Sequence, residues 1–130
     1  MLRELTALGA ASGLLLAGAA PAAAATGFGC DHPRVCFYLK AKDWGDRKPT
    51  ASYRAFTDEF QILGPRSRGA YAIYNSRADD AALLLFSDGT QECVEPDGTW
   101  FHDQFGPRYK VVGVQIIDES DCAVVLGTEH

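Results

Sequence analysis

The chain has 130 residues, and its 17 acidic and 12 basic side chains give a formal charge of −5. That length allows one small domain rather than several. Its arginines and lysines are scattered and form no basic stripe with interleaved aromatics, which argues against a nucleic-acid partner.

The first element is the stretch MLRELTALGAASGLLLAGAAPAAAATG. One arginine precedes a Leu/Ala/Gly run that is too short and too rich in small residues for a good membrane span. The run ends in Ala-x-Ala triplets, of which Ala23-Ala24-Ala25 is the expected cleavage signal. Residues 1–25 are therefore read as a signal peptide and 26–130 as a single mature domain. Glu4 cancels Arg3 and weakens the charged start, and a retained anchor is the competing reading. No stop-transfer flank follows, so the expectation is a secreted, extracellular protein with no membrane contact after cleavage.

All four cysteines, Cys30, Cys36, Cys93 and Cys122, lie in the mature part. An even count in a small exported domain reads as a disulfide framework with three formal pairings. Spacing favours Cys30–Cys36 and Cys93–Cys122. The first would tie down the N-terminus. The second would close a loop of about thirty residues, worth about 3.6 kcal/mol in the chain-entropy model.

Past the leader, helical periodicity is hard to find. Short apolar runs follow one another instead: VCFYL at 35–39, AYAIY at 70–74, ALLLF at 82–86, VVGVQII at 111–117 and CAVVL at 122–126. SYRAF, FQIL and TWFH are weaker strand candidates. The segments between them are rich in Gly, Pro, Asp and Ser, as turns are. Many short strands at even spacing predict an all-β sandwich or barrel. FSDGT predicts a tight hairpin with a primed turn, because Asp-Gly tolerates positive φ. ILGPRSR at 62–68 and QFGPRYK at 104–110 share Gly-Pro-Arg before an apolar run, a faint repeat that suits two Greek keys.

Several chemical constellations can be drawn on this chain. Cys93 with His102 and Asp97 or Asp103 would make a thiol triad, but Glu92 and Glu95 would raise the thiol pKa, the reverse of what a nucleophile needs. Cys30, His32 and Cys36 offer three zinc donors and lack a fourth. Asp79-Asp80 and the DESD run at 118–121 could attract a cation, although such residues are commonly only solvated. The aromatics read as core and corner packing, with Trp44 and Trp100 partly exposed beside turns. No convergent acid, base and nucleophile set stands out. The chain is read as a non-enzyme with no cofactor and no metal.

The stretch GCDHPRVCFYLKAKDWGD resembles the opening of the secreted bacterial peptidase inhibitor family I36, whose domains are similar to βγ-crystallin Greek keys. The resemblance rests on the close pair Cys30 and Cys36 before Phe37-Tyr38, on Trp44-Gly45, on AYAIYN, on GTQECVEPDG, and on KVVGV before Cys122. It covers nearly all of the mature chain. Two departures stand out: Trp44 is immediately before its glycine rather than two positions away, and SRGAYA and RYKVVG lack the carboxylates and amides of calcium-binding members. The resemblance implies a βγ-crystallin-like sandwich of two Greek-key motifs without those calcium sites.

The resemblance also implies inhibition of a thermolysin-like metallopeptidase through a reactive bond that follows a disulfide cysteine. The residues suit that role on paper. A disulfide at Cys93 would anchor the acyl side of a cut, Val94 would fill an apolar pocket, and Pro96 would stiffen the far side. The inhibitory loop is accordingly placed at Glu92, Cys93, Val94, Glu95 and Pro96, and the partner is expected to be a secreted metallopeptidase met by a monomer. The alternative is a non-inhibitory secreted structural or binding module of the same fold.

Overall fold

Strand β1, Val35–Tyr38, sets the pattern for the molecule. All four of its residues are buried, yet they serve two different clusters. Val35 and Phe37 enter the main core, whereas Cys36 and Tyr38 enter a second, smaller cluster. Alternation of side chains across a pleated strand produces this division, and it makes β1 apolar throughout. In this computed structural model residues 27–102 and 109–127 are described; the expected signal peptide, Asp103, Phe105 and the second Gly-Pro-Arg lie outside them.

After β1 come helix α1 (Ala41–Gly45), β2 (Ala51–Tyr53), β3 (Gln61–Ile62) and β4 (Ala72–Asn75). The second half supplies β5 (Ala81–Phe86), β6 (Gln91–Val94), β7 (Thr99–Phe101), β8 (Val111–Ile117) and helix α2 (Cys122–Leu126). The fold is mostly β: two four-stranded antiparallel sheets, ordered β2-β1-β4-β7 and β3-β8-β5-β6. Each half places three strands in its own sheet and lends its third strand to the other. Between the sheets lie Val35, Phe37 and Ile73 from the first, against Ala82, Leu84, Val114 and Ile116 from the second. Gly64-Pro65-Arg66 lies between β3 and β4, and the second Gly-Pro-Arg falls in sequence between β7 and β8, the corresponding position.

Three local expectations are corrected. CAVVL is a helix, because Asp121 accepts a hydrogen bond from the Ala123 N–H at its start and Gly127 closes it with φ 69°. QECV is a strand rather than a displayed loop, pairing with β5 from Leu85↔Gln91 to Ala82↔Val94. AKDWG, which holds the Trp44-Gly45 pair, is a helical turn, with the Asp43 carboxylate accepting from the Lys40 N–H. The β5–β6 hairpin is not a primed two-residue turn. Only Gly89 has positive φ, and the Asp88 carboxylate instead accepts from the N–H and hydroxyl of Thr90.

The small cluster covers the outer face of the first sheet. Trp44 from α1 meets Phe28 at 4.5 Å, Tyr38 at 4.9 Å and Phe101 at 5.0 Å between ring centroids. The Tyr38 hydroxyl donates to the Phe28 carbonyl at 2.6 Å. Next to Phe28, Gly29 lets the chain pass close to the Arg47 carbonyl oxygen, which a Cβ would meet at 2.0 Å.

Candidate functional site

Both favoured disulfides are present, Cys30–Cys36 and Cys93–Cys122, and no described cysteine is free. Cys93 therefore carries no thiol, and His102 packs near Trp100, with ring centroids 6.2 Å apart, instead of serving a triad. The zinc set at Cys30, His32 and Cys36 is lost for the same reason, and His32 Nδ1 lies 3.1 Å from the Ser76 carbonyl. Among the described residues no cluster of His, Cys, Asp or Glu could hold a metal.

The segment singled out in the sequence begins in β6, an edge strand. Cys93 alternates with Val94, so its side chain leaves the outer face of the second sheet and ties α2 there. Val94 points the opposite way, is 4% exposed and belongs to the core. The display of Val94 is therefore corrected: strand pairing with Ala82 commits its side chain inward. Glu92 shares that inward side, and burial raises its carboxyl pKa above the usual range.

Beyond Val94 the chain turns sharply. The Gly98 N–H donates to the Glu95 carbonyl at 2.9 Å, with Pro96 and then Asp97 at the corner. Asp97 has φ 61°, in the left-handed region that a type II turn demands at this position and that glycine occupies more easily. Three groups from the first half hold it there. The Tyr74 hydroxyl donates to the Asp97 carboxylate at 2.5 Å, the Asp97 N–H donates to the Arg77 carbonyl at 3.1 Å, and the Asn75 amide donates to the carbonyls of Val94 and Glu95. Burial, reinforced by Asp97, pushes the Tyr74 hydroxyl up to about 12. Glu95 and Asp97 remain exposed and Pro96 half-buried.

Sequence reasoning missed the support beneath this turn. Asn75 is fully buried, accepts from the Arg77 N–H and also donates to the Asp80 carbonyl at 2.9 Å. Nε and Nη2 of Arg77 both meet one oxygen of Asp80, Oδ2, at 2.9 and 2.8 Å, and Nη1 donates to the Pro33 and Arg54 carbonyls. Its other contact is the Phe56 ring, 4.7 Å from the guanidinium carbon. Asp80 is thus a structural anion rather than a cation ligand, Asp79 is solvated, and Asp121 is the cap of α2. Trp100, expected to be partly exposed, is 4% exposed within the core.

Compared with known protein families, characterised proteins and solved structures, the chain gives no match. Its two disulfides suit an oxidising, extracellular setting. No helix among the described residues is long and apolar enough to cross a membrane.

Proposed function

We propose that this chain is an exported, non-enzymatic βγ-crystallin-like protein that inhibits a secreted metallopeptidase by presenting the turn Glu95–Gly98. The exchange of the third strand between sheets, made by both halves, supports the paired Greek-key reading. The observation that carries the function is the immobilisation of this turn. A disulfide holds the strand before it, and Asn75, Tyr74 and Arg77 hold the turn itself. A segment already fixed in one conformation loses little entropy on docking. The inhibitory residues of this reading are Glu95, Pro96 and Asp97, with Cys93 as anchor. The Glu95 carboxylate is an oxygen donor that a catalytic zinc with an open position accepts.

Burial of Val94 favours the second reading, a structural or binding module that inhibits nothing, because it removes the apolar side chain that a thermolysin-like pocket would take. Titration of the oxidised protein against a thermolysin-like metallopeptidase separates the two. Inhibition that Glu95→Lys weakens by about tenfold or more, with an unchanged melting temperature, supports the turn. Absence of inhibition at micromolar protein, with both disulfides verified, leaves the module reading. Inhibition indifferent to Glu95→Lys and Pro96→Ala means that the turn is the wrong surface. Val94→Asp tests neither, since it places a carboxylate in the core and unfolds the domain.

A further inference from the structure

The outer face of the second sheet carries apolar side chains of its own. Leu83 and Leu85 alternate with core-facing Ala82 and Leu84, and Gln115 and Ile117 alternate with core-facing Val114 and Ile116. This sheet is therefore apolar on both sides. Helix α2 is tied to this face through the Cys93–Cys122 disulfide, and none of the residues of α2 is buried.

Among the described residues, the four exposed large hydrophobics lie in this sheet, beside it or in α2. Ile62, 70% exposed, is in β3, and Phe56, 53% exposed, bridges to Ile116 of β8. Val124 and Leu126, 47% and 41% exposed, are in α2, tied to β6 by the Cys93–Cys122 disulfide. Beside Phe56 an open groove of about 400 Å³ runs along Ile116 and Ile117 between Asp58 and Asp118. Contiguous apolar surface rimmed by polar groups marks an interaction site.

Charge defines what fits there. Along the sequence, positions 27–77 carry nine basic and five acidic side chains, whereas positions 78–130 carry two basic and eleven acidic ones. Asp58 and Asp118 line the groove, Glu119 and Asp121 lie between β8 and α2, and Arg77, the cation stacked on Phe56, is already paired with Asp80. A field of this sign repels anionic membrane surfaces and also opposes a symmetric dimer through the same face.

We propose that the outer face of the second sheet, with α2, is a docking surface for a protein segment that carries lysine or arginine beside bulky apolar side chains. The apolar residues seat on Ile62, Leu85, Ile117 and Leu126, and the cations meet the acidic rim. This surface is distinct from the Glu95–Gly98 turn and does not depend on the inhibitory reading.

The probe is a decapeptide of alternating lysine and leucine, titrated into the oxidised, isotope-labelled protein. Amide shifts should saturate and centre on Ile62, Leu85, Ile117 and Leu126. Raising salt from roughly 0.05 to 0.5 M should weaken binding severalfold through screening. The double variant Ile62→Lys/Leu126→Lys, at exposed positions that leave the fold intact, should weaken it by about tenfold or more. Three results overturn the proposal: no saturable binding, equal shifts with a lysine–glycine decapeptide, or shifts centred elsewhere. Sedimentation equilibrium adds a fourth, because concentration-dependent self-association blocked by the same double variant assigns the face to a second copy instead.

Discussion

The two sheets share one strand order, yet their outer faces have opposite fates. On the first, Cys36, Tyr38, Ala72 and Tyr74 are sealed beneath Phe28, Trp44 and Phe101, with the Cys30–Cys36 disulfide inside the cluster. On the second, the Cys93–Cys122 disulfide fastens a short helix whose residues all stay accessible. A repeated strand order thus fixes the core between the sheets without fixing what covers them. The first cover converts outward apolar residues into a second core. The second buries Leu83 but leaves Leu85 and Ile117 partly accessible.

The largest effect expected from breaking this contrast comes from the disulfides. Cys93→Ser/Cys122→Ser opens a bridge with a sequence separation of 29 and should destabilise by about 3.6 kcal/mol in the chain-entropy model. Cys30→Ser/Cys36→Ser opens one with a separation of 6, worth about 2.2 kcal/mol on the same basis. Urea unfolding of both double variants checks the order. If the short bridge proves the more costly, packing of its sulfurs within the aromatic cover outweighs loop entropy.

Next in size is a matched pair of truncations. Trp44→Ala removes the ring at the centre of the first cover and should cost about 2–3 kcal/mol, below the range for fully buried aromatics because Trp44 is half-buried. Leu126→Ala on the second cover should stay within about 0.5 kcal/mol. Comparable losses in thermal melts would show that α2 is a structural lid and remove the contrast.

How much of this was legible in the sequence differs element by element. VVGVQII and VCFYL announce themselves through β-branched and aromatic runs that no helical period fits. QECV does not, because only Val94 of its four residues is committed to the core and its pairing depends on a hairpin partner. CAVVL carried a helix signal in Asp121 and Gly127, but its β-branched run outweighed it. The turn after Cys93 was legible from Pro-Asp-Gly. Its support was not, since Asn75 reaches carbonyls 19 and 20 positions away and Arg77 one 44 positions away. The charge division between halves was countable from the start and concealed by counting the chain as a whole.

A further prediction concerns the seam between the halves. The Tyr74 hydroxyl, from the first half, has its pKa pushed up from 10.0 to about 12 by burial and by Asp97 of the second half. Burial also raises the Tyr38 hydroxyl above its usual range. An unfolded chain releases these protons first, so the stability they lend is complete below pH 10 and is lost as pH rises toward 12. The loss for Tyr74 should be on the order of 2 kcal/mol. Absorbance titration should show Tyr74 and Tyr38 ionising late, and Tyr74→Phe should remove one late component. Ionisation of Tyr74 near pH 10 would refute the burial of this seam.

The smallest effect falls on Asp97, where two opposing terms nearly cancel. Asp97→Gly relieves a left-handed backbone at φ 61°, a gain of about 1 kcal/mol. It also forfeits the charge-assisted hydrogen bond from Tyr74, a loss of about 1.5 kcal/mol or more. The net change should be a loss of about 0.5 kcal/mol. Asp97→Ala takes the loss without the relief and should be the more damaging by about the backbone term. Asp97→Asn keeps an acceptor and a residue tolerant of this conformation, so it should fall between wild type and Asp97→Ala. Chemical denaturation of the three variants tests the order. If Asp97→Gly is the most damaging, the Tyr74 bond rather than backbone strain governs the turn, and the two halves are stitched together chiefly through that contact.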